Sequence, residues 1–178
     1  RKKTDVFIKK ISAIFMAFLM LLLSGCNIVS NIDSIVLDNS IYVNEFCSLN
    51  THLLKDSDGE YSDWIEIYNN TDRDMNLKGY TLSDDKNKKD KFTFPEMTIK
   101  AHEYLVVFAS GKNKFVAEKN ELHTNFSLSV KGEAVYFYNE SGKNLSSIIY
   151  KQMRADISYG LLEKDGKPLE LDMYVFGS

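Results

Sequence analysis

Proline, glycine, cysteine and arginine are all scarce in this sequence. Two prolines and nine glycines in 178 residues exclude collagen-like and low-complexity chains, which depend on these two residue types. The formal net charge is -3, but residues 1–25 are basic, so residues 26–178 carry a clear excess of carboxylates. After residue 25 the only arginines are Arg73 and Arg154. An acidic region with so few arginines is poorly suited to a phosphate backbone, and we expect no nucleic-acid partner.

The N-terminal residues have the pattern of a secretory leader. A basic segment ends at Lys10 and is followed by the uncharged apolar run Ile11–Leu23. A helix that crosses the hydrocarbon core of a bilayer needs about 20 apolar residues, whereas the apolar region of a signal peptide has roughly 7–15. The run has no polar face, which argues against an amphipathic surface helix. It therefore predicts an N-terminal signal-peptide helix.

The end of this leader resembles the bacterial lipobox, a leucine and two small residues followed by a cysteine. The matching residues are Leu23, Ser24, Gly25 and Cys26. The resemblance implies that a signal peptidase recognises the first three and cuts before Cys26, whose thiol carries a diacylglyceryl group. Two acyl chains anchor a protein stably, whereas one chain binds only marginally. We therefore expect a lipid-anchored protein at the outer face of a bacterial cytoplasmic membrane or on the cell surface.

The stretch from Tyr61 to Asp85 has the clearest strand pattern. Alternation in Asp63–Asn69 predicts a strand with its isoleucines on one face and Trp64, Glu66 and Tyr68 on the other. The polar run 70–74 predicts a tight turn. Apolar residues resume at alternate positions after it, interrupted by Gly79 as at a bulge or a bend. We expect a β-hairpin.

Short strands are predicted along the rest of the chain, with turns about every ten residues. Tyr104–Ala109 is an unbroken apolar run and predicts a central core strand, and residues 112–121 have room for one helical turn. Eight or nine short strands without a substantial helix predict an all-β sandwich. The other segments with a strand-like pattern of apolar residues are Ser34–Leu37, Ile41–Phe46, Lys91–Phe94, Met97–Ile99, Leu122–Val130, Ala134–Tyr138, Leu145–Tyr150, Ile157–Leu161 and Leu169–Val175.

An acidic loop precedes the Trp64 strand. Asp56, Asp58 and Asp63 lie close together in sequence around Gly59, as at the start of a calcium loop, where oxygen ligands gather at a sharp turn. The glycine comes too early for the full EF-hand pattern. The alternative is an ordinary Asx turn. Calcium is the one cofactor that the sequence suggests.

Candidates for catalysis are few. Cys47 has no partner cysteine once Cys26 is lipidated, and a lone cysteine beside a strand is usually a small buried hydrophobic residue. The three histidines are scattered and form no motif. A hydrolase with paired carboxylates would have to use Glu45, Glu66 and Asp63. We expect no catalytic residues and no enzyme.

Several segments, taken in order, resemble the lamin-tail domain, an immunoglobulin-like β-sandwich. The resemblance extends over roughly residues 40–175 and is closest to modules joined to spore-coat kinase-like (CotH-type) domains in bacteria. It implies packing and turn roles for Trp64, Gly79, Tyr80, Leu82 and Gly160, and a binding or spacer function. The segments that carry it are Val43–Glu45, Asp63–Asn69, Leu77–Asp85, Phe94–Pro95, Tyr104–Gly111, Leu122–Phe126, Gly132–Glu133 and Asp156–Gly160.

These observations predict a signal peptide over residues 1–25, a lipidated N-terminus and linker over 26–39, and a lamin-tail-like sandwich over 40–178. The expected protein is a membrane-anchored surface lipoprotein with a non-catalytic module for an unknown protein or glycan partner. The alternative is the N-terminal accessory domain of a larger kinase-like (CotH-type) or hydrolytic protein. Six tyrosines have two possible roles: they form an exposed aromatic platform for such a partner, or they pack within the sandwich. They are Tyr42, Tyr61, Tyr68, Tyr80, Tyr136 and Tyr138.

Overall fold

The computed structural model of the chain describes residues 32–164 and 167–172. Its strands are β1 (Ile32–Leu37), β2 (Ile41–Cys47), β3 (Asp63–Asn69), β4 (Met75–Asn76), β5 (Thr81–Ser83), β6 (Phe92–Thr93), β7 (Thr98–Ile99), β8 (Tyr104–Ala109), β9 (Lys114–Val116), β10 (Glu121–His123), β11 (Glu133–Tyr138), β12 (Asn144–Tyr150), β13 (Tyr159–Lys164) and β14 (Lys167–Asp172). A 3-10 turn, Ala117–Lys119, is the one helical element among the described residues. In this part of the chain no helix has the length and apolarity needed to cross a membrane.

The predicted signal peptide over residues 1–25 lies outside the described residues. The same holds for its recognition residues Leu23, Ser24 and Gly25, and for the predicted lipid attachment site Cys26. All four therefore remain predictions.

The strands form two large sheets and one short pair. The five-stranded sheet has the order β1-β12-β11-β5-β6, and the seven-stranded sheet has the order β14-β13-β2-β3-β8-β10-β9. Strands β4 and β7 pair with each other. Every pairing in the described residues is antiparallel except that of β8 with β10, which is parallel. The predicted all-β sandwich is confirmed.

The core lies between the inner faces of the two large sheets. Ile65 and Ile67 of β3 are fully buried on the face that the alternation assigns to them. They belong to one apolar cluster with Phe137 and Ile148 of the five-stranded sheet. Fully burying one such side chain stabilises the fold by about 1.5–3 kcal/mol. The inward residues of the two sheets therefore hold the layers together.

The predicted β-hairpin over Tyr61–Asp85 is wrong, although its strands exist. β3 begins and ends where the alternation predicts, but it pairs with β2 and β8, whereas β5 pairs with β11 and β6 in the other sheet. The buried Asn69 side chain donates hydrogen bonds to the carbonyls of Arg73 (2.8 Å) and Lys100 (2.9 Å). These bonds turn the chain away from β3, so residues 70–74 cross between sheets.

The remaining strand predictions agree with the structure in approximate position, except that residues 173–175 of the predicted Leu169–Val175 strand lie outside the described residues. Tyr104–Ala109 is a central strand, because β8 lies between β3 and β10. The 3-10 turn lies within residues 112–121, as predicted. The described residues contain fourteen strands where the sequence predicts eight or nine. The excess arises because β4, β5, β6, β7, β9 and β10 have only two or three residues each.

Candidate functional site

The outer face of the seven-stranded sheet carries three aligned rows of side chains. The register of β2, β3 and β8 places Cys47, Trp64 and Phe108 in the first row, Glu45, Glu66 and Val106 in the second, and Tyr42, Tyr68 and Tyr104 in the third. In a simple two-layer sandwich such a face would meet solvent. Trp64 and Phe108 are nevertheless only 8% and 5% exposed. Another part of the chain must cover them.

Residues 48–62, which we call the β2–β3 loop, provide this cover. Leu53 and Leu54 pack against the cluster that contains Trp64. The buried Asn50 side chain organises the loop: its amide donates to the carbonyl of Ser62 at 2.9 Å, and its oxygen accepts from the N–H of Leu53 at 2.9 Å. The loop therefore has its own apolar contacts and its own hydrogen-bonding centre.

Asp156 fixes the start of the β2–β3 loop from a distant part of the sequence. Its carboxylate accepts hydrogen bonds from the backbone and hydroxyl of Thr51 and from the backbone of His52 (2.9 Å). Burial by itself would raise the pKa of Asp156, but the bonds from Thr51 and His52 dominate, and the pKa lies well below its usual range. The ionised form is thus held in the folded protein.

The acidic segment of the loop is built around Asp56. The Asp56 carboxylate accepts hydrogen bonds from the N–H groups of Asp58 and Glu60, both at 3.0 Å. Asp56, Asp58 and Glu60 each present an oxygen within 4.8 Å of the others. Asp63, the third member of the predicted calcium set, is not among them. The loop geometry thus agrees with an Asx turn.

Asp63 bonds to backbone groups elsewhere. Its oxygens accept from the N–H of Leu128 at 3.2 Å and from the N–H of Asn50 at 3.5 Å. Burial raises the pKa of Asp63, and these two bonds offset only part of the effect. Its role in the fold is to join the β2–β3 loop to the segment after β10.

A lysine ammonium lies among the three clustered carboxylates. Lys112 Nζ lies 2.7 Å from Asp58 and 2.8 Å from Glu60, and it also pairs with the fully buried side chain of Asp56. Hydrogen bonds from Lys112 and Lys114 lower the pKa of Asp58 to about 2. Burial acts to lower the pKa of Lys112, but its three carboxylate partners raise it above its usual value. Any calcium ion would have to compete with this ammonium.

The carboxylates proposed for a hydrolase are not assembled. Glu45 and Glu66 are neighbours across β2 and β3, and Asn44 donates a 2.8 Å hydrogen bond to Glu66. Burial raises the pKa of Glu66, and the nearby charge of Glu45 adds to the shift. Asp63 lies two residues before Ile65 and therefore on the same, core-facing side of β3, opposite to Glu66. The three groups share no common space.

A serine, a histidine and a glutamate form a hydrogen-bonded chain that sequence reasoning missed. Ser110 Oγ lies 2.9 Å from His123 Nδ1, and His123 Nε2 lies 2.8 Å from Glu121 Oε1. Because an ionised carboxylate only accepts, Nε2 of a neutral imidazole carries the proton, and Nδ1 accepts from the Ser110 hydroxyl. The N–H of Lys112 donates to Ser110 Oγ at 3.3 Å. Glu121 also accepts from the N–H of Ser57 at 3.0 Å.

The hydrogen-bonded chain of Ser110, His123 and Glu121 has the residue types of a hydrolase catalytic triad, but the burial of its side chains favours a structural role. His123 is fully buried, and its ring stacks on Phe108 with the ring centres 5.4 Å apart. A general base must also deliver its proton to a leaving group, which a fully enclosed imidazole cannot approach. The parallel pairing of β8 with β10 brings Ser110 and His123 together. We infer that this hydrogen-bonded chain of three side chains ties the β2–β3 loop to the sheet.

Replacing Ser110 with alanine tests this role. The buried His123 Nδ1 would lose its hydrogen-bond donor, and an unpaired buried polar group costs about 1–3 kcal/mol. We expect the free energy of unfolding, measured by urea titration, to fall by that amount. Ser127, the exposed bridge partner of Ser110, supplies the control, since Ser127→Ala should change it by less than about 0.5 kcal/mol. Equal stability of the two variants would contradict the structural role.

Cys47 is an inert part of the same surface. Its side chain is fully buried in the first row, next to Trp64 and Phe108. Burial, followed by the nearby charges of Asp63 and Asp156, raises the pKa of the thiol to about 11. A thiol with so high a pKa is almost entirely protonated at neutral pH and is a poor nucleophile.

The tyrosines proposed as a platform are mostly enclosed. Tyr42, Tyr68 and Tyr138 are buried, whereas Tyr61 is 41% exposed. Tyr104, which the platform did not include, is the most exposed aromatic side chain of the described residues at 55%, and its ring stacks on Tyr68 with a centre separation of 4.5 Å. Tyr80 and Tyr136 are half-buried. The packing interpretation therefore describes most of the set.

The residues given fold roles occupy positions that explain their types. Gly79 has a φ of +79° in a turn where its N–H donates to the carbonyl of Phe94. Leu82 is fully buried, and the Tyr80 ring packs 5.8 Å from that of Phe137. A side chain at Gly160 would place a Cβ 3.1 Å from Glu45 Cγ. Trp64 anchors the β2–β3 loop, as described above.

Comparison with known protein families gives a match. The family model described as Lamin Tail Domain matches residues 48–152, which is more than half of the chain. The matched range begins with the β2–β3 loop and ends just after β12. No curated protein matches the sequence.

Proposed function

Because the chain belongs to the lamin-tail domain family, we propose that it is a non-catalytic binding or spacer module, anchored to the outside of a bacterial membrane through a lipid on Cys26. The observation that supports a non-catalytic role is that the polar side chains are bonded within the protein itself. His123, Glu121, Asp56, Lys112 and Asp156 hold loops in place with buried or multiply bonded side chains. Such groups stabilise a surface, and they are poorly placed to turn over a substrate.

The surface lipoprotein proposal rests on the sequence. A basic segment, an apolar run of signal-peptide length and the lipobox residues Leu23, Ser24, Gly25 and Cys26 follow one another in the required order. The excess of carboxylates in residues 26–178 favours a protein or glycan partner over a nucleic acid. Fewer than ten residues separate Cys26 from β1, so the sandwich would be held close to the bilayer.

Fractionation of bacteria that express the full sequence, followed by intact-mass analysis, tests the anchor. We expect the protein in the detergent-soluble membrane fraction, with a mass that equals residues 26–178 plus a diacylglyceryl group. The Cys26→Ala variant should lose the lipid and keep residues 1–25 uncleaved. Wild-type protein that retains residues 1–25 without a lipid would contradict the proposal. If the protein isolated from its source bacterium is much larger than the expressed chain, that result would instead support the accessory domain of a kinase-like (CotH-type) or hydrolytic protein.

A further inference from the structure

The strand at one end of the seven-stranded sheet has an unused backbone edge. β9 pairs with β10 on one side, and no described strand pairs with its other side. The N–H of Asn113 donates to the carbonyl of Thr124, and Phe115 is the register partner of Leu122. Backbone groups of successive residues in an antiparallel strand point in opposite directions. The N–H and C=O groups of Lys114 and the N–H of Val116 therefore point outward, whereas the C=O of Val116 begins the 3-10 turn.

An apolar cavity lies directly beside this edge. Its volume is about 180 Å³, and it opens between β9 and β6, which is the last strand of the five-stranded sheet. Phe115 is 41% exposed there, although it lies on the same face of the sheet as the buried Leu122. We call this site the β9 groove; its lining residues are Phe92, Thr93, Pro95, Asn113, Lys114, Phe115 and Leu122.

The surface flanking the β9 groove is acidic. Lys114 Nζ is bound to Asp58 at 2.6 Å, and Lys112 is shared by three carboxylates, so both ammonium groups are already neutralised. Glu60 and Asp58 keep 66% and 43% of their side-chain surface exposed. With Asp56 and Glu121 included, carboxylates outnumber ammonium groups in this cluster. A cationic segment therefore complements the flank of the groove.

We propose that the β9 groove binds an extended, basic peptide segment of a partner protein, which adds a strand to β9 and inserts one large apolar side chain beside Phe115. Backbone pairing supplies affinity in this mode of recognition, and a pocket for alternate side chains supplies specificity. The inward residues of the added strand face the cavity, and the outward residues lie beside the acidic cluster. This inference rests on the proposed function, because it names the class of partner that the binding module takes.

Titration with designed peptides, followed by amide chemical shifts of the sandwich, tests the groove. The probe is a capped peptide of alternating valine and threonine with one central phenylalanine and a lysine at each end. We expect its shifts to concentrate on Lys114, Phe115 and Val116. Replacing the peptide phenylalanine with alanine, or its lysines with glutamates, should weaken binding by about tenfold or more.

Two protein variants separate side-chain from backbone recognition. Phe115→Ser removes the exposed wall of the cavity, and Val116→Pro removes an outward N–H that no described strand uses. Both should weaken peptide binding by about tenfold or more. Ile149→Ser is the matched control, because Ile149 is 37% exposed on the other sheet, and it should bind normally. Thermal melts of all three variants confirm that each is folded.

Four outcomes would overturn the inference. Shifts that avoid β9, or variants that bind as well as wild type, would exclude the groove. Concentration-dependent dimerisation that Val116→Pro abolishes would assign the edge to a second copy of this chain. Equal recovery of cross-linked partners by wild type and Phe115→Ser would exclude the groove while leaving the binding module intact. Failure of lipidation at Cys26 would instead count against the proposed anchor alone.

Discussion

Replacing Gly132 with alanine is expected to lower the free energy of unfolding by about 2–4 kcal/mol. Gly132 has a φ of +107°, a region that residues with a Cβ rarely adopt. An added Cβ would lie 2.8 Å from the carbonyl oxygen of Tyr150 and 2.9 Å from Lys151 Cα. Both contacts are to backbone at the end of β12, so no side-chain rotation relieves them. Urea unfolding followed by tryptophan fluorescence measures the change.

Gly142 provides the matched control for this prediction. Its φ is +76°, but a Cβ there would have no atom within 4 Å. Gly142→Ala should therefore cost only the backbone strain, about 1 kcal/mol. A Gly132→Ala variant that is no less stable than Gly142→Ala would show that the chain at Lys151 moves aside freely. The comparison thus separates a steric effect from a conformational one.

Replacing Lys112 with methionine is expected to cause the second large loss in the free energy of unfolding. The variant keeps the alkyl volume but leaves the fully buried Asp56 side chain without its ammonium partner. Removing one partner of a buried ion pair is strongly destabilising. Since Lys112 itself keeps some solvent contact, we expect a loss of about 2–4 kcal/mol in the free energy of unfolding at pH 7. Lys78→Met is the control: Lys78 and Glu96 are both mostly exposed, so we expect little change.

The pH dependence of the Lys112→Met defect follows from Asp56. Burial raises the pKa of this carboxyl, but hydrogen bonds from Lys112 and then from backbone N–H groups lower it overall. A lowered folded-state pKa contributes stability above the unfolded value, about 3.9, that is lost as the pH falls through the folded value. Without Lys112 the part of that contribution that Lys112 supplies disappears, whereas the backbone hydrogen bonds remain. The gap between wild type and variant should therefore be widest near pH 7, narrow as the pH falls below about 4, and close only below the folded-state pKa of Asp56.

The effect of added calcium on the melting temperature provides a second test of the role of Lys112. In Lys112→Met the oxygens of Asp56, Asp58 and Glu60 would lie together without the ammonium that neutralises them. Added calcium should raise the melting temperature of this variant more than that of the wild type. An equal rise in both proteins would show that the ion binds elsewhere. A rise in wild type alone would contradict the view that Lys112 and calcium compete.

The sequence predicts individual strands better than their partners. Alternation places β3 at Asp63–Asn69 and β8 at Tyr104–Ala109, with the bounds that the structure has. Alternation of apolar and polar residues indicates which side chains of a strand are buried, and this pattern can be read from the sequence of that strand alone. The partner of a strand depends on where the chain goes afterwards. For that reason the sequence identifies Asn69 only as the last residue of a strand and does not show that its buried amide turns the chain out of β3.

The candidate site shows the same division. Nearness in sequence groups Asp56, Asp58 and Asp63, but β3 starts at Asp63 and carries that side chain to the core-facing side. Glu60 takes its place in the cluster. Ser110 and His123 meet only because β8 and β10 run parallel, a pairing that no local pattern encodes. The family could be recognised because the resemblance depends on the order of segments along the sequence, which does not depend on which strands pair in the fold.

The position of β1 has a mechanical consequence for a protein tethered near its N-terminus. β1 is an edge strand, joined to β12 from the Ile32–Tyr150 pair to the Leu37–Ser146 pair. With Cys26 fixed in a membrane as proposed, any pull on a bound partner enters the sandwich through Ile32. Tension along β1 loads its hydrogen bonds together, whereas tension across it breaks them one by one. Pulling single molecules from the N-terminus in these two directions should therefore give a higher rupture force along the strand, and the domain would act as a direction-sensitive linkage.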